Sequence, residues 1–504
     1  MSLWGVNHRQ EQLPCACNQA SSPGAPSPLV VETQLMNAIT HLPRRSSQTV
    51  TLWSQEARAT VTLAVPLVLT ELAYMAMITT DVVMMGWLGP QSLAAGSLAG
   101  HFYVFFEFFA LGVLGAVAPI LSQHLGARRY RMVRRTFRQG VWVAAIVALP
   151  CIAVIWHAQA ILVLLGQDPD LASAGQSYVR FMVLGFLPGL WLLVLSEFLA
   201  AHTRPRVTLV VAVLGIGINA LADYALMFGH FGFPRLGLIG AGIASATVTT
   251  LMFLALLTFV LIDRRLRRYR LLGRFWRTDW SQLYEIVRIG IPIGVAQLAE
   301  IGMFLASALL MGLLGTATLA AHAIAIQCIS VAYMVPLGVS QAATIRVGRA
   351  MGAGDYQAVG RAGWTALALG VGFAFLPAAA FWFLGGAIVD LFLDTARPEN
   401  RVTIELAISF LAIAALFQFA DAAQVPAMGA LRGLKDTRGP MLISLAGYWG
   451  LGLPSAALFG VYLGFGGRAI WVSLAVALFV VGAFLVRRFW AQSVRLIGVA
   501  RHST

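Results

Sequence analysis

Twelve apolar runs, each long enough to cross a bilayer, leave this chain essentially one way to fold. They cover roughly 59–84, 92–121, 139–165, 172–200, 206–229, 238–262, 284–311, 318–345, 362–392, 403–430, 440–462 and 468–490. A helix needs about 20 residues to cross the hydrocarbon core. Lipid offers no partner to a backbone N–H or C=O, so each run must satisfy its own backbone by coiling into a helix. Composition agrees: 59% of the 504 residues are hydrophobic and 11% charged, where a soluble domain carries about 25% charged residues. The predicted fold is an all-α polytopic membrane protein with 12 transmembrane helices.

The net charge of +14 is almost all arginine, with Lys435 the single lysine. The arginines do not form a nucleic-acid face. They cluster between alternate apolar runs: Arg128, Arg129, Arg131, Arg134, Arg135 and Arg138 after the second, Arg204 and Arg206 after the fourth, and Arg264 to Arg277 after the sixth. Later even-numbered loops take Arg346, Arg349 and Arg361, then Arg432, Lys435 and Arg438, and the chain end adds Arg487, Arg488 and Arg495. By the positive-inside rule, both termini are expected in the cytoplasm, with an even number of crossings. No nucleic-acid partner is expected.

The chain repeats itself. Shifted by 226 residues, Pro66 falls on Pro292, Gly86 and Gly89 on Gly312 and Gly315, Leu93-Ala94-Ala95 on Leu319-Ala320-Ala321, Leu111-Gly112-Val113 on Leu337-Gly338-Val339, and Tyr130 on Tyr356. Apolar bias produces chance Leu and Ala matches, but it does not keep Pro, Gly and Tyr in one register. Six crossings per half is an even number, so both halves enter from the same side. The spans are therefore expected in two pseudo-two-fold related six-helix lobes around a central cleft, a geometry suited to alternating access. The expected organisation is a flexible cytoplasmic tail at 1–57, an N-terminal lobe at 58–263, a basic linker at 264–283, a C-terminal lobe at 284–494 and a short tail at 495–504. The first tail is polar, with Ser-Ser-Pro-Gly-Ala-Pro-Ser-Pro at 21–28 and no signal-peptide core, and Met36 is a second candidate start. The cysteines Cys15, Cys17, Cys151 and Cys328 suggest neither a disulfide framework nor a zinc site.

A carboxylate at mid-bilayer costs about 2.5–3.5 kcal/mol, so acids inside apolar runs mark function. Asp81 lies in the outer part of the first run, and its repeat mate is Ser307, so the charge is not scaffold. Asn219 and Asp223, four apart in the fifth run, share a helix face and offer oxygen ligands to a hard cation or a proton. Glu300, whose repeat mate is Tyr74, and Asp421, which falls opposite Leu187, give the second half an acidic pair absent from the first. Glu71 and Glu107 are weaker candidates, and His322 reads as a packing or loop-end hydrogen bond rather than a proton carrier. Tyr74, Phe304, Phe417 and Phe419, with Gln418 and Gln424, are candidate lining for a substrate cavity, where aromatic faces attract flat cations. No P-loop, His-Glu-x-x-His, Gly-x-Ser-x-Gly or Asp-Asp-x-x-Asp motif is present, so neither an enzyme nor an ATP-driven pump is expected, and no cofactor beyond a coupling ion.

These residues resemble the multidrug and toxic compound extrusion (MATE) family, in its NorM-like branch, over about 59–490. The resemblance rests on Pro66 through Asp81 to Gly86-Trp87-Leu88-Gly89, and on Asn219, Asp223 and Tyr224 followed by Phe231-Gly-Phe-Pro-Arg-Leu-Gly237. It rests also on Glu300 after Pro292, and on Asp421-Ala-Ala-Gln424 followed by Gly429-Ala-Leu-Arg-Gly-Leu-Lys-Asp436. It implies export of cationic, amphipathic small molecules by a monomer, in exchange for Na+ or H+. It also implies a cation site at Asp81, Asn219 and Asp223 in the first lobe and another at Glu300 and Asp421 in the second. Asp223, where NorM-like members often carry Asn, makes the first-lobe site more acidic. The alternative, a lipid-linked precursor flippase of the same superfamily, would want a basic cleft, whereas the intramembrane charges singled out here are acidic.

Overall fold

The computed structural model describes residues 44–502 apart from 272, 274, 275 and 394–396. Cys15, Cys17, Met36, Arg274 and most of the expected N-terminal tail lie outside the described residues. Among the described residues, twelve helices are long and apolar enough to cross a membrane: α1 Thr51–Leu88, α2 Pro90–Gly126, α3 Tyr130–Trp156, α4 Pro169–Ala201, α5 Pro205–Phe228, α6 Leu238–Ile262, α7 Trp280–Leu313, α8 Thr316–Ala353, α9 Tyr356–Phe383, α10 Pro398–Gly433, α11 Arg438–Tyr462 and α12 Gly466–Gly498.

The helices outrun the apolar runs. The first helix already begins at Arg44 and the last continues to His502, inside segments expected as tails. Arg346, Arg349, Arg361, Arg432 and Arg438 belong to helices, not to the loops in which the charge pattern placed them. A helix satisfies its own backbone in water or lipid alike, so nothing stops it where hydropathy ends. The bilayer boundary and the helix end are different places.

The repeat is visible in the backbone. Gly89 and Gly315, mates at shift 226, open α2 and α8 with φ 118°, ψ 165° and φ 117°, ψ 165°. This is a conformation that only glycine adopts without strain. Short helices follow the third span of each half, Ala158–Leu164 and Gly385–Asp390.

Buried apolar side chains form two large clusters. One gathers α2–α6, the other α8–α12. The halves are not separable blocks, because α1 and α7 are shared. Ile286, Ile289 and Ile293 of α7 sit in the first cluster, and Ala299, Met303 and Met311 in the second. Conversely, Leu63, Ala64 and Leu67 of α1 pack on Val339, Ala342 and Ala343 of α8 in a third. Glycine makes both crossings: Gly112 of α2 lies against Gly294 of α7, and Gly338 of α8 against Val68 of α1. These pairs are images of one another under the repeat, 112 with 338 and 294 with 68. The pseudo-two-fold axis thus maps the α2–α7 contact onto the α8–α1 contact.

In lipid, helices hold together by close packing at small residues. Gly112→Leu forces a side chain into the Gly294 backbone and Gln297. Overpacking of this kind costs roughly 1–3 kcal/mol. The expected outcome is a lower apparent Tm in detergent, whereas Gly372→Ala, which meets nothing within 4 Å, shows no loss.

Candidate functional sites within the two halves

In the first half, three helices bring oxygen atoms together. Asn219 and Asp223 stand one turn apart on the buried face of α5. Asp81 of α1 faces them. Asn219 Nδ2 donates to Asp81 Oδ1 at 2.5 Å and to Asp223 Oδ2 at 2.8 Å. Ser245 of α6 donates to Asp81 Oδ2 at 3.0 Å. The two carboxyl groups also interact directly. One amide bridging two adjacent carboxyls is a stable arrangement only if the paired negative charge is offset. Asn219 Oδ1 and Asp223 Oδ1 are buried and accept no hydrogen bond, so the cluster retains oxygen ligands for a proton or a small hard cation. Tyr178, on α4, stands within electrostatic range of Asp81, Asp223 and Glu107, and Tyr103 is near Glu107 in turn.

The second half is built differently. Asp421, on α10, is 2% exposed, and Glu300, on α7, lies within its electrostatic range. Among the described residues, neither carboxyl has a hydrogen-bond or ion-pair partner. The nearest polar groups are the phenols of Tyr333 and Tyr448, each within electrostatic range of both acids. Tyr448 occupies a wide π-helical turn of α11, Ala446–Gly452, a kind of irregularity often found at functional sites. Gln424 donates to Tyr448 Oη at 2.5 Å, and so fixes that phenol from the turn below Asp421. Tyr333 is also within range of Glu71, whose carboxylate accepts from Gln341 Nε2 of α8 at 2.8 Å. The acids of α1, α7 and α10 therefore border one polar region between the halves.

Some expectations need correction. Phe417 is 1% exposed and packs on Trp471 in the second core. Phe419 packs edge-on against Phe375 and lines an apolar depression with Trp364 and Trp490, away from the acids. A helix turns about 100° per residue, so Phe419, two positions before Asp421, lies on the far side of α10, whereas Phe417, four before it, shares the side of Asp421 but is covered by Trp471. Phe304 packs on the second core and touches Phe417. Gln418 is buried, with Nε2 lacking a partner. Tyr74 lies beside Glu71 and Ser196. His322 packs on Trp471, its ring 5.4 Å away, in keeping with its reading as a packing residue.

Other groups escaped the sequence reading. Glu197 is a carboxyl within the fourth apolar run, a signal the sequence carries as plainly as it does for Asp81 or Glu300. It lies within electrostatic range of Arg432, which the structure brings to the interior end of α10, near Glu300 and Tyr333. Tyr333, Tyr448, Ser245 and Gln341 carry no charge, and no sequence signal separated them from packing residues.

Two repeat-related halves with separate groups of buried acids define a secondary transporter. The MatE family model matches residues 66–225 and 292–458, and the chain belongs to that family. It is 45% identical to a probable multidrug resistance protein NorM of Mesorhizobium japonicum, covering 88% of this chain and 96% of that one. It is 38% identical to a protein of the same description from Pseudomonas aeruginosa, covering 89% and 92%. The fold is shared with a eukaryotic MATE transporter, AtDTX14, at a TM-score of 0.77 and 20% identity, covering 88% of this chain and 99% of that one. An outward-facing multidrug resistance MATE family transporter superposes at a TM-score of 0.78 and 17% identity, covering 88% and 96%.

Asn219→Ala removes the single amide that bridges Asp81 and Asp223. Two hydrogen bonds to buried carboxyls are lost, at about 1.5–3 kcal/mol each. The expected result is a fall of several degrees in the apparent Tm. Ser245→Ala, which removes one hydrogen bond, should shift it less, and differential scanning fluorimetry checks the order.

Proposed function

We propose that this protein exports cationic, amphipathic small molecules, drugs among them, across the bacterial inner membrane in exchange for Na+ or H+, with both termini in the cytoplasm. The observation that carries the reading is the acidic pair Glu300 and Asp421. Both carboxyls lie inside a helical bundle, and none of the described residues gives either one a hydrogen bond. An ionised carboxylate in such a place favours whatever neutralises it: a proton, a sodium ion or an organic cation. Only one of these fits at a time, and that exclusion is the basis of antiport.

Neutralisation also couples to movement. Carrying a bare carboxylate through the closed state costs about 2.5–3.5 kcal/mol, roughly a hundredfold in population. A loaded site escapes that cost, so the halves exchange orientation when a cation is bound. Asp81, Asn219 and Asp223 form a second cation site in the first half, where the unpartnered oxygens of Asn219 and Asp223 supply ligands. Glu71, Tyr333 and Tyr448 border the path between the two. The cargo is read as cationic because acids outnumber bases in this interior, where Arg432 is the basic group facing Glu300 and Glu197.

Asp421→Asn keeps the shape of the side chain and removes its charge. Efflux of a cationic dye from cells should fall to background, with membrane expression unchanged, and normal efflux from this variant would remove the reading. In proteoliposomes of the purified protein, imposed Na+ and H+ gradients applied separately identify the coupling ion. Dye movement under neither gradient would count against exchange altogether.

A further inference from the structure

At the Arg-rich end of the bundle, an open depression of about 820 Å³ lies on the seam between the halves. Arg128, Arg129 and Tyr130 line it from the first half, and Arg349 and Gly352 from the second. Its floor is a helix crossing made by repeat mates: Gly126 packs on the backbone of Arg349, and Gly352 on the backbone of Gln123. Arg128, in the turn between α2 and α3, adopts the left-handed region at φ 55°.

The protein does not neutralise this cavity itself. Among the described residues, the acids of this end are already taken. Glu56 accepts a two-pronged ion pair from Arg346 at 2.9 and 2.6 Å. Asp263 pairs with Arg204 at 2.5 Å, Asp279 with Arg135 at 3.4 Å, and Glu285 with Lys435 at 2.7 Å. Asp355 pairs with Arg361 at 3.7 Å, and Asp436 with Arg488 at 2.5 Å. The guanidinium of Arg204 holds Asp263 below the usual carboxylate range, so these acids are committed to their own partners. No described carboxylate pairs with Arg128, Arg129 or Arg349. Burial first, and then the guanidinium groups of Arg268, Arg349 and Arg204, push the His202 imidazole down to about 4. Keeping loops on one side of the membrane requires positive charge, but it does not require arginines of both halves to converge on one cavity.

We propose that this seam cavity binds a phosphate group, using Arg128 and Arg129 of one half and Arg349 of the other. Guanidinium forks match phosphate oxygens. A tetrahedral phosphate offers oxygens in several directions to arginines arriving from different helices, whereas a carboxylate offers two in one plane. The group reaches the cavity either on an acidic lipid of the adjacent leaflet or as a soluble phosphate. Because both halves contribute arginines, an occupied cavity ties them together at this end. The proposal does not depend on which cargo is exported.

The test uses the full chain purified in detergent, with ionic strength held constant by chloride. Dioctanoyl phosphatidylglycerol, dioctanoyl phosphatidylcholine and inorganic phosphate are each titrated while the apparent Tm is followed. A saturable rise of roughly 2 °C or more is expected with phosphatidylglycerol but not phosphatidylcholine if the source is a lipid, and with inorganic phosphate if it is soluble. Arg128→Gln and Arg349→Gln should abolish the rise. Without added phosphate, each variant should melt no lower than the wild type, because it removes one of several like charges. A response absent from the wild type, or equal in the variants, overturns the proposal. So does a variant that melts lower without phosphate, since that guanidinium would then already be compensated within the protein.

Discussion

Close approach of backbones at glycine is the contact on which this molecule depends. In lipid, apolar surfaces gain little by leaving the solvent, and helices hold together where small residues let them touch. Gly112 against Gly294, and Gly338 against Val68, put α7 into the first core and α1 onto α8. Each half lends its opening helix to the other. Relative motion of the halves must therefore run through these two crossings, which the repeat makes equivalent, and an equivalent pair of contacts suits a rocking movement about the shared axis.

Upon that frame the two halves keep acids in the membrane by opposite means. In the first, Asn219 and Ser245 hold the carboxyls in a network that leaves only two oxygens without partners. In the second, Glu300 and Asp421 face phenols and each other without a hydrogen bond. Hydrogen bonds favour the charged form of a carboxyl, but two carboxyls side by side still need a proton or a cation between them, whereas the second-half acids have no hydrogen bond to offset their burial. Duplication supplied two equivalent frames, and divergence at a handful of positions gave them different electrostatics: Asp81 against Ser307, Glu300 against Tyr74.

Charge at the Arg-rich end follows the same economy. Six acids meet six bases, and what remains is positive and gathered at the seam. Most of the arginines named at that end lie in helices rather than in loops, so topology and local packing share the same residues.

The apolar runs by themselves determined the twelve helices, because no other backbone arrangement with this hydropathy survives in lipid. The register of Pro, Gly and Tyr determined the duplication, since composition cannot counterfeit it. An acid in an apolar run was visible as an anomaly, which is why Asp81, Asp223, Glu300 and Asp421 were legible, and why Glu197 should have been. Tertiary structure alone decided the rest. Whether Phe417 faces a cavity or a core depends on helix rotation, which an all-round apolar helix does not record. Tyr333, Tyr448 and Ser245 differ from packing residues only by what stands opposite them. Which arginines are answered by acids, and which are left at the seam, depends mostly on partners far along the chain, as with Arg346 and Glu56 or Arg135 and Asp279, a separation over which sequence carries no local signal.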